Sequence, residues 1–321
     1  MNNMEHDFFE LDNKRLINLA LLCILILSIF FLISLYASRG IRNDQNIRYA
    51  QEQKVNPFQD LSIEGLSAIV YDINTGKTLY EKNSTEVRPL ASITKILSAV
   101  TAIDLLPQGT IVTVDKAFLK EEGDSGLYSN EKWKLKDLID YTLISSSNDG
   151  MAAIAGAAGA LDSGSKNFDI SKQDFITKMN AKANEIGMTQ SRFYNETGLD
   201  VNQNDSGGYS SASDVAKLFA YTLKNHPEVF DATKLDKIAI TSQSNISHKA
   251  ENTNTFINSI PGLIASKTGY TDLAQGNLAV IIDPGVARPI AIVVLGSSIE
   301  GRFTDVQTLV QKTYQYLSQG N

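Results

Sequence analysis

Residues 88–107 read RPLASITKILSAVTAIDLLP, and the rest of the chain is most readily understood outward from this stretch. Apolar side chains recur at Ile93, Ile96, Leu97, Val100, Ile103 and Leu106, spacings of three and four that predict a helix opening at Ser92 and ended by Pro107. Such a helix is expected to be buried. Upstream, GLSAIVYDINTGKTLYEKN at 65–83 holds two β-prone runs, 66–71 and 77–81, around Asn74-Thr75-Gly76, which is a hairpin signal. Downstream, a second helical block covers 135–161 and breaks near Ser145-Ser146-Ser147. Further helices are expected at 171–187 and 211–224, strands at 238–241, 265–269, 277–282 and 289–295, and a closing helix at 301–317. Strands at both ends around a helical middle predict an α/β or α+β protein whose single sheet collects both ends of the chain.

The 321 residues are 43% hydrophobic and 20% charged, close to globular averages, which excludes collagen-like and wholly disordered readings. The 29 basic and 36 acidic residues give a net charge of -7, the wrong sign for a protein that neutralises nucleic-acid phosphates. A lone cysteine, Cys23, allows no internal disulfide, and His6, His226 and His248 are too widely spaced to suggest a zinc site or Cys/His catalysis. His226, which precedes Pro227, and His248, in a polar run, read as surface positions and not as triad bases. Residues 16–37, LINLALLCILILSIFFLISLYA, carry no charge and as a helix extend about 33 Å, enough to cross a bilayer core. Leu35 is too bulky for the -3 position of the nearest cleavage site, so the segment reads as an uncleaved signal anchor containing Cys23. Lys14 and Arg15 on one side are matched by Arg39, Arg42 and Arg48 on the other, and the positive-inside rule assigns no orientation. The expected organisation is a tail at 1–15, a transmembrane anchor at 16–37, a flexible linker at 38–60 and a folded domain at 61–321.

Three short patterns carry chemistry: Ser92-Ile93-Thr94-Lys95, Ser146-Ser147-Asn148 and Lys267-Thr268-Gly269. Each alone is also an ordinary cap, turn or strand end, and stray copies occur at Ser129/Lys132, Ser163/Lys166 and Ser165/Asn167. Context separates them. Only Ser92 opens an apolar helix, where a spacing of three puts Ser and Lys on one face. Only Ser146 and Asn148 fall at a break between helices, and only Lys267 lies in a β-prone run next to glycine. In this order the trio is the signature of penicillin-binding proteins and class A β-lactamases.

With the flanking Arg88-Pro89-Leu90-Ala91, Phe193-Tyr194-Asn195-Glu196-Thr197-Gly198-Leu199, Tyr209-Ser210-Ser211-Ala212, Asn252-Thr253-Asn254 and Tyr270-Thr271, the chain resembles the low-molecular-mass penicillin-binding proteins over about residues 61–298. Within these it is similar to the serine-type D-alanyl-D-alanine carboxypeptidases of the peptidase S11 type. Two departures stand out: Ser147 replaces a common glycine, and Gln275-Gly276-Asn277 replaces an Ala-Gly-Cys or Ala-Gly-Ser type of sequence. The resemblance implies a serine β-lactamase/DD-peptidase-like fold, an antiparallel sheet flanked by helices plus a helical subdomain, preceded here by one transmembrane helix. That helix is expected to take over the anchoring that a C-terminal amphipathic segment supplies in many relatives.

The implied chemistry is acylation of Ser92 by the carbonyl between two D-alanines. Lys95 would take the serine proton, provided burial and a second cation, Lys267, favour its neutral form. Ser146 would relay the proton to the departing D-alanine, and Asn148 would hold Lys95 and the substrate amide. Backbone N–H groups of Ser92 and Tyr270 would meet the oxyanion, and Lys267 and Thr268, with Gly269 beside them, would bind the terminal carboxylate. The implied partners are peptidoglycan stem peptides, β-lactams as covalent inhibitors and the bilayer through 16–37, with the domain outside a bacterial cytoplasm. No metal, organic cofactor or nucleic acid is implied. Endopeptidase cleavage of crosslinks, β-lactamase activity and a catalytically silent wall scaffold are the other readings, and the pairing of Ser92 with Lys95 argues against the last. Glu185 reads as part of an amphipathic helix ending at Gly187, not as a deacylating carboxylate.

Overall fold

The computed structural model describes residues 3–52, 56–107, 109–120, 122–123, 126–164, 167–285 and 287–320, with only the backbone for 3–14 and 40–52. Ser165 and Lys166, and the side chains of His6, Lys14, Arg42 and Arg48, lie outside the described set. Two compact units result, Met1–Gln59 and Asp60–Asn321.

The first unit is built on one helix, α1 (Asn3–Glu52). Its Arg15–Arg39 portion reaches a mean hydropathy of 3.0 over its most apolar 18 residues and is exposed throughout, long and apolar enough to cross a membrane. The stretch expected to be a flexible linker from residue 38 is instead helical to Glu52. From 41 to 52 the chain has no proline or glycine, and its Arg, Gln, Ala and Glu residues extend a helix whose nucleation cost is already met.

The second unit opens with strands β1 (Ser67–Asp72), β2 (Lys77–Lys82) and β3 (Arg88–Pro89), followed by helix α2 (Thr94–Leu105) and strands β4 (Ile111–Thr113) and β5 (Lys132–Lys134). A helical middle follows: α3 (Leu135–Ser145), α4 (Asn148–Ser163) and α5 (Phe168–Ile186), then β6 (Arg192–Phe193), β7 (Gly208–Ser210) and α6 (Ala212–Asn225). The chain ends in β8 (Lys237–Thr241), β9 (Ser247–Glu251), β10 (Leu263–Thr271), β11 (Gln275–Ile282), β12 (Ile290–Ser297) and α7 (Gly301–Ser318). The main sheet is antiparallel throughout, in the order β10-β11-β12-β1-β2, and so does collect both ends of the domain.

Leu278–Ile282 and 290–295 are wholly buried in both alternating sets of side chains, as a sheet covered on both faces requires. Ala279, Ile281, Ala291, Val293 and Leu295 join a core with α2, α3 and α6 residues such as Ile96, Leu138 and Phe219. The alternate residues lie on the face toward α7, whose Phe303, Val306, Leu309 and Val310 are buried. Helix α2 is enclosed on all sides, with 93–102 buried and Lys95 among them. A helix buried around its whole circumference belongs in a core, and Lys95, the one charged side chain in that buried stretch, is in need of a reason.

One expectation is overturned in this half. His248 is buried and not on the surface: its Nε2 lies 2.6 Å from Glu131 Oε1, with the Trp133 and Tyr141 rings against it. The polar run holding it is strand β9, whose alternate residues point inward. His226 is largely covered too and contacts Asp104 Oδ1 at 3.2 Å, near the C-terminal end of α2.

Candidate active site

Three junctions between elements bring the motif residues into one cleft. The first is the entry to α2. Ala91 adopts a left-handed conformation (φ 49°), unusual for a residue with a side chain, and Ser92 sits in a single 3-10 turn, Ala91–Ile93. The α-helix proper starts two residues later than expected, at Thr94, which leaves Lys95 in its first turn. Gly198 (φ 81°) makes this turn possible, because a Cβ there would stand 1.9 Å from the Ala91 carbonyl oxygen.

The second junction joins α3 to α4. Ser146 ends α3 in the left-handed region (φ 61°, ψ 28°), a position usually given to glycine. Ser147, where the family pattern has glycine, N-caps α4 by accepting from Gly150 N at 2.9 Å. Asn148 thereby opens α4 with its side chain toward Lys95. The third is β10, an edge strand of the main sheet that carries Lys267, Thr268, Gly269 and Tyr270. Gly269 is required by close approach, since a Cβ would come within 2.7 Å of the Leu90 carbonyl.

Lys95 Nζ lies 2.7 Å from Ser92 Oγ and 2.6 Å from Asn148 Oδ1, and donates to Thr197 O at 3.1 Å. Asn148 is fixed from its other end, one amide hydrogen going to Glu122 O at 2.6 Å. Lys267 Nζ donates to Ser146 Oγ at 2.9 Å and to Thr268 O at 3.0 Å. Thr268 Oγ1 is 2.6 Å from Thr253 Oγ1, and the Tyr270 side chain is exposed. The motif residues thus form two groups, a trio of Lys95 with Ser92 and Asn148 and a pair of Lys267 with Ser146. Burial pushes the Lys267 ammonium well below the ordinary lysine range, and the charges of Lys95 and Arg302 push it further down. Among the described residues no group of three or more His, Cys, Asp or Glu side chains is placed to hold a metal ion.

Several participants carry no sequence signal. Arg302, in the first turn of α7, is buried and donates from Nη1 to Gly269 O at 2.9 Å. Asn277, in the divergent Gln275-Gly276-Asn277 stretch, donates from Nδ2 to Pro89 O and Leu90 O at 3.0 and 3.1 Å and accepts from Gly296 N at 2.7 Å. Its amide therefore braces the segment leading into Ser92, a task that explains a fully buried asparagine at this point of β11. Ser129 and Ser163 lie apart from these groups, Ser129 in a turn near an exposed Lys132 and Ser163 bonded to Gly159 O within α4. Glu185 pairs with Lys182 on the outer face of α5, and Gly187 caps that helix.

The model of the peptidase S11 family, D-alanyl-D-alanine carboxypeptidase, matches residues 51–298. The D-alanyl-D-alanine carboxypeptidase DacF of Bacillus subtilis is 31% identical over 257 residues, 78% of this chain and 62% of that protein. This chain thus spans less than two thirds of that relative's length. A D-alanyl-D-alanine endopeptidase of Escherichia coli is 30% identical over 245 residues, covering 74% and 72% of the two chains. Among solved structures, the Streptomyces K15 DD-transpeptidase superposes with a TM-score of 0.71 at 23% identity, covering 79% of this chain and 98% of its own.

Proposed function

The chain belongs to the peptidase S11 family of D-alanyl-D-alanine carboxypeptidases, and from that premise we propose that it is a membrane-anchored enzyme removing the terminal D-alanine from peptidoglycan stem pentapeptides. The observation that carries this reading is the buried Lys95 amine 2.7 Å from the Ser92 hydroxyl, held by Asn148 and Thr197 O. A serine hydroxyl is a weak nucleophile until a neighbour removes its proton. In the proposed sequence Ser92 Oγ bonds to the carbonyl carbon of the penultimate D-alanine while Lys95, as a neutral amine, takes the Oγ proton. The oxyanion is met by the N–H groups of Ser92 and Tyr270. Collapse breaks the C–N bond, and the departing nitrogen takes a proton from Ser146, which is resupplied through Lys95. Lys267 donates to Ser146 Oγ, an arrangement that occupies the acceptor side of that hydroxyl and leaves its own hydrogen to point elsewhere. Water then hydrolyses the acyl-enzyme, and β-lactams enter by the same first step.

The endopeptidase relative supports a second reading, in which the acyl donor is a crosslink and the leaving group is the side-chain amine of another stem. The full chain given a pentapeptide stem, a crosslinked dimer and a β-lactam separates these. Release of D-alanine from the pentapeptide as the fastest turnover supports the carboxypeptidase, faster cleavage of the dimer the endopeptidase, and fast release of opened β-lactam a β-lactamase.

Lys267 and Arg302 set the polarity of the leaving-group side. Burial and the neighbouring charges disfavour the Lys267 ammonium, and an incoming carboxylate would supply an opposite charge that favours it. A carboxylate–ammonium contact of this kind contributes about 1.5 to 3 kcal/mol, about 10- to 150-fold in affinity. Lys267→Gln is therefore expected to lose far more activity on a free-carboxylate substrate than on its carboxyl-amidated analogue, with Lys267→Arg retaining more of the difference. Equal losses on both would assign Lys267 to holding Ser146 alone.

The Arg15–Arg39 segment is proposed as the anchor, with residues 60–321 outside the cytoplasm where mature stem peptides are found. Long domains translocate despite unfavourable flanking charge. Protease added to spheroplasts should digest the domain and leave a short membrane-embedded fragment. Full protection would reverse the orientation, and a mature N-terminus near Ser38 would make the segment a cleaved signal.

A further inference from the structure

We infer that Asp200 is a positioning residue for acylation, a strut that holds the strand end bearing Tyr270 in register with the loop that carries Lys95's carbonyl partner; this rests on the acyl-enzyme reading above. The loop after β6 is tightly bound at its near end. Glu196 O accepts from Ser98 Oγ at 2.7 Å, Thr197 O from Lys95 Nζ at 3.1 Å, and Gly198 passes directly against Ala91 O. Asn195 fixes the internal shape of this loop, accepting from Gly198 N at 2.7 Å and donating to Leu199 O at 2.8 Å. Its next residue is Asp200, which reaches across to the opposite wall. There Oδ1 accepts from Thr271 Oγ1 at 3.0 Å and Oδ2 from Leu273 N at 3.3 Å. Thr271 Oγ1 in turn accepts from Ala274 N at 3.1 Å, so one carboxylate organises the whole β10–β11 connection.

The position of that connection matters because β10 is an edge strand, with β11 as its only sheet neighbour among the described residues. Its end is tied outside the sheet by Arg302 at Gly269 O and by Asp200 at Thr271, the residues on either side of Tyr270. A cavity of about 490 Å3 opens here, lined by Asp200, Tyr270, Thr271 and Asp272 among others, so that face of the turn is not backed by packing. An oxyanion donor acts only when its N–H is aimed at the developing charge, and a displacement near 1 Å costs about 100-fold in rate. Asp200 touches none of the reacting atoms; it acts through the Tyr270 N–H.

The test is the kinetics of the full chain in detergent, with a chromogenic penicillin for acylation and a pentapeptide for turnover. Asp200→Ala is expected to lower the acylation rate and kcat roughly 10- to 100-fold while KM changes by less than about threefold. Thr271→Val should reproduce the loss, Thr271→Ser should restore activity, and the Asp200→Ala/Thr271→Val double variant should be little worse than either single one. Asp272→Asn removes an exposed carboxylate from the same cavity without cutting these bonds and should leave both constants unchanged. A loss confined to KM, an equal loss in Asp272→Asn, multiplying losses in the double variant or no loss at all would each overturn the inference. The Thr271 pair carries the test alone if Asp200→Ala does not fold. A wild-type chain that penicillin does not acylate would instead refute the functional reading.

Discussion

Fluorescent penicillin is expected to mark the chain at one residue, Ser92, and Ser92→Ala to label no more than background, with turnover falling by about 1,000-fold or more as nucleophile deletions do. Three features point to this serine and no other. Its hydroxyl lies 2.7 Å from the amine of a fully buried lysine, whereas the lysine spaced three residues from Ser129 is exposed on β5. The backbone before it is held in a left-handed turn at Ala91, the kind of local strain that persists only when the surroundings over-determine it. Those surroundings are visible: Asn277 grips the Pro89 and Leu90 carbonyls, and Gly198 and Gly269 admit the backbone at close range. Peptide mapping of the adduct decides the matter, and an adduct on Ser129 or Ser163 would overturn it.

Lys95→Ala should lose nearly as much as Ser92→Ala, again about 1,000-fold or more, and the double variant should be little worse than either. In the proposed mechanism the two residues form one proton-transfer unit, so removing either would remove the function of both. Lys95→Arg gives the sharper contrast. A guanidinium stays protonated at any working pH and cannot serve as the base. If Lys95 acted only as a fixed positive charge beside Ser92, arginine would preserve much of the rate; the expected result is that it preserves almost none. Because Lys95 also binds Asn148 and Thr197 O, each variant needs its thermal midpoint measured, so that loss of the base is read apart from loosening of the cleft.

Much of this architecture is visible in the sequence because strong periodicity and deep burial go together. The run from Ile93 to Leu106 must be an enclosed helix, and the β-rich segments flanking the helical middle have only one another to pair with; the observed strands and helices there begin and end within a few residues of expectation. Strands β3 to β7 hold two or three residues each, too few for a period of two to be recognised. His248 escaped because a polar strand that buries every second residue looks like a loop until its partner is known. Arg302 escaped for a different reason. It follows Lys267 by 35 residues and meets β10 only because α7 folds back over the sheet, so no local pattern marks it. Asp200 is likewise an ordinary loop residue until the β10–β11 turn is laid beside it.

The pairing of β1 with β12, in which Ser67 faces Leu295, carries a consequence for how the enzyme comes into being. Closing a loop of more than 200 residues costs about 5 kcal/mol of chain entropy before the first contact repays it. During synthesis the apolar strand containing Ala68, Ile69 and Val70 is made first; β2 can pair with one of its edges at once, while the other edge must wait for β12, the last strand. The cleft is timed by the same event. Ser92 and Lys95 are early residues, whereas Lys267 is made only near the end of that loop and Arg302 just beyond it. A nascent chain therefore carries its proposed nucleophile well before the residues expected to act with it are made. Activity is therefore expected to appear late in folding, and a lesion that delays β12 is expected to lower the amount of active protein more than the rate of each active molecule.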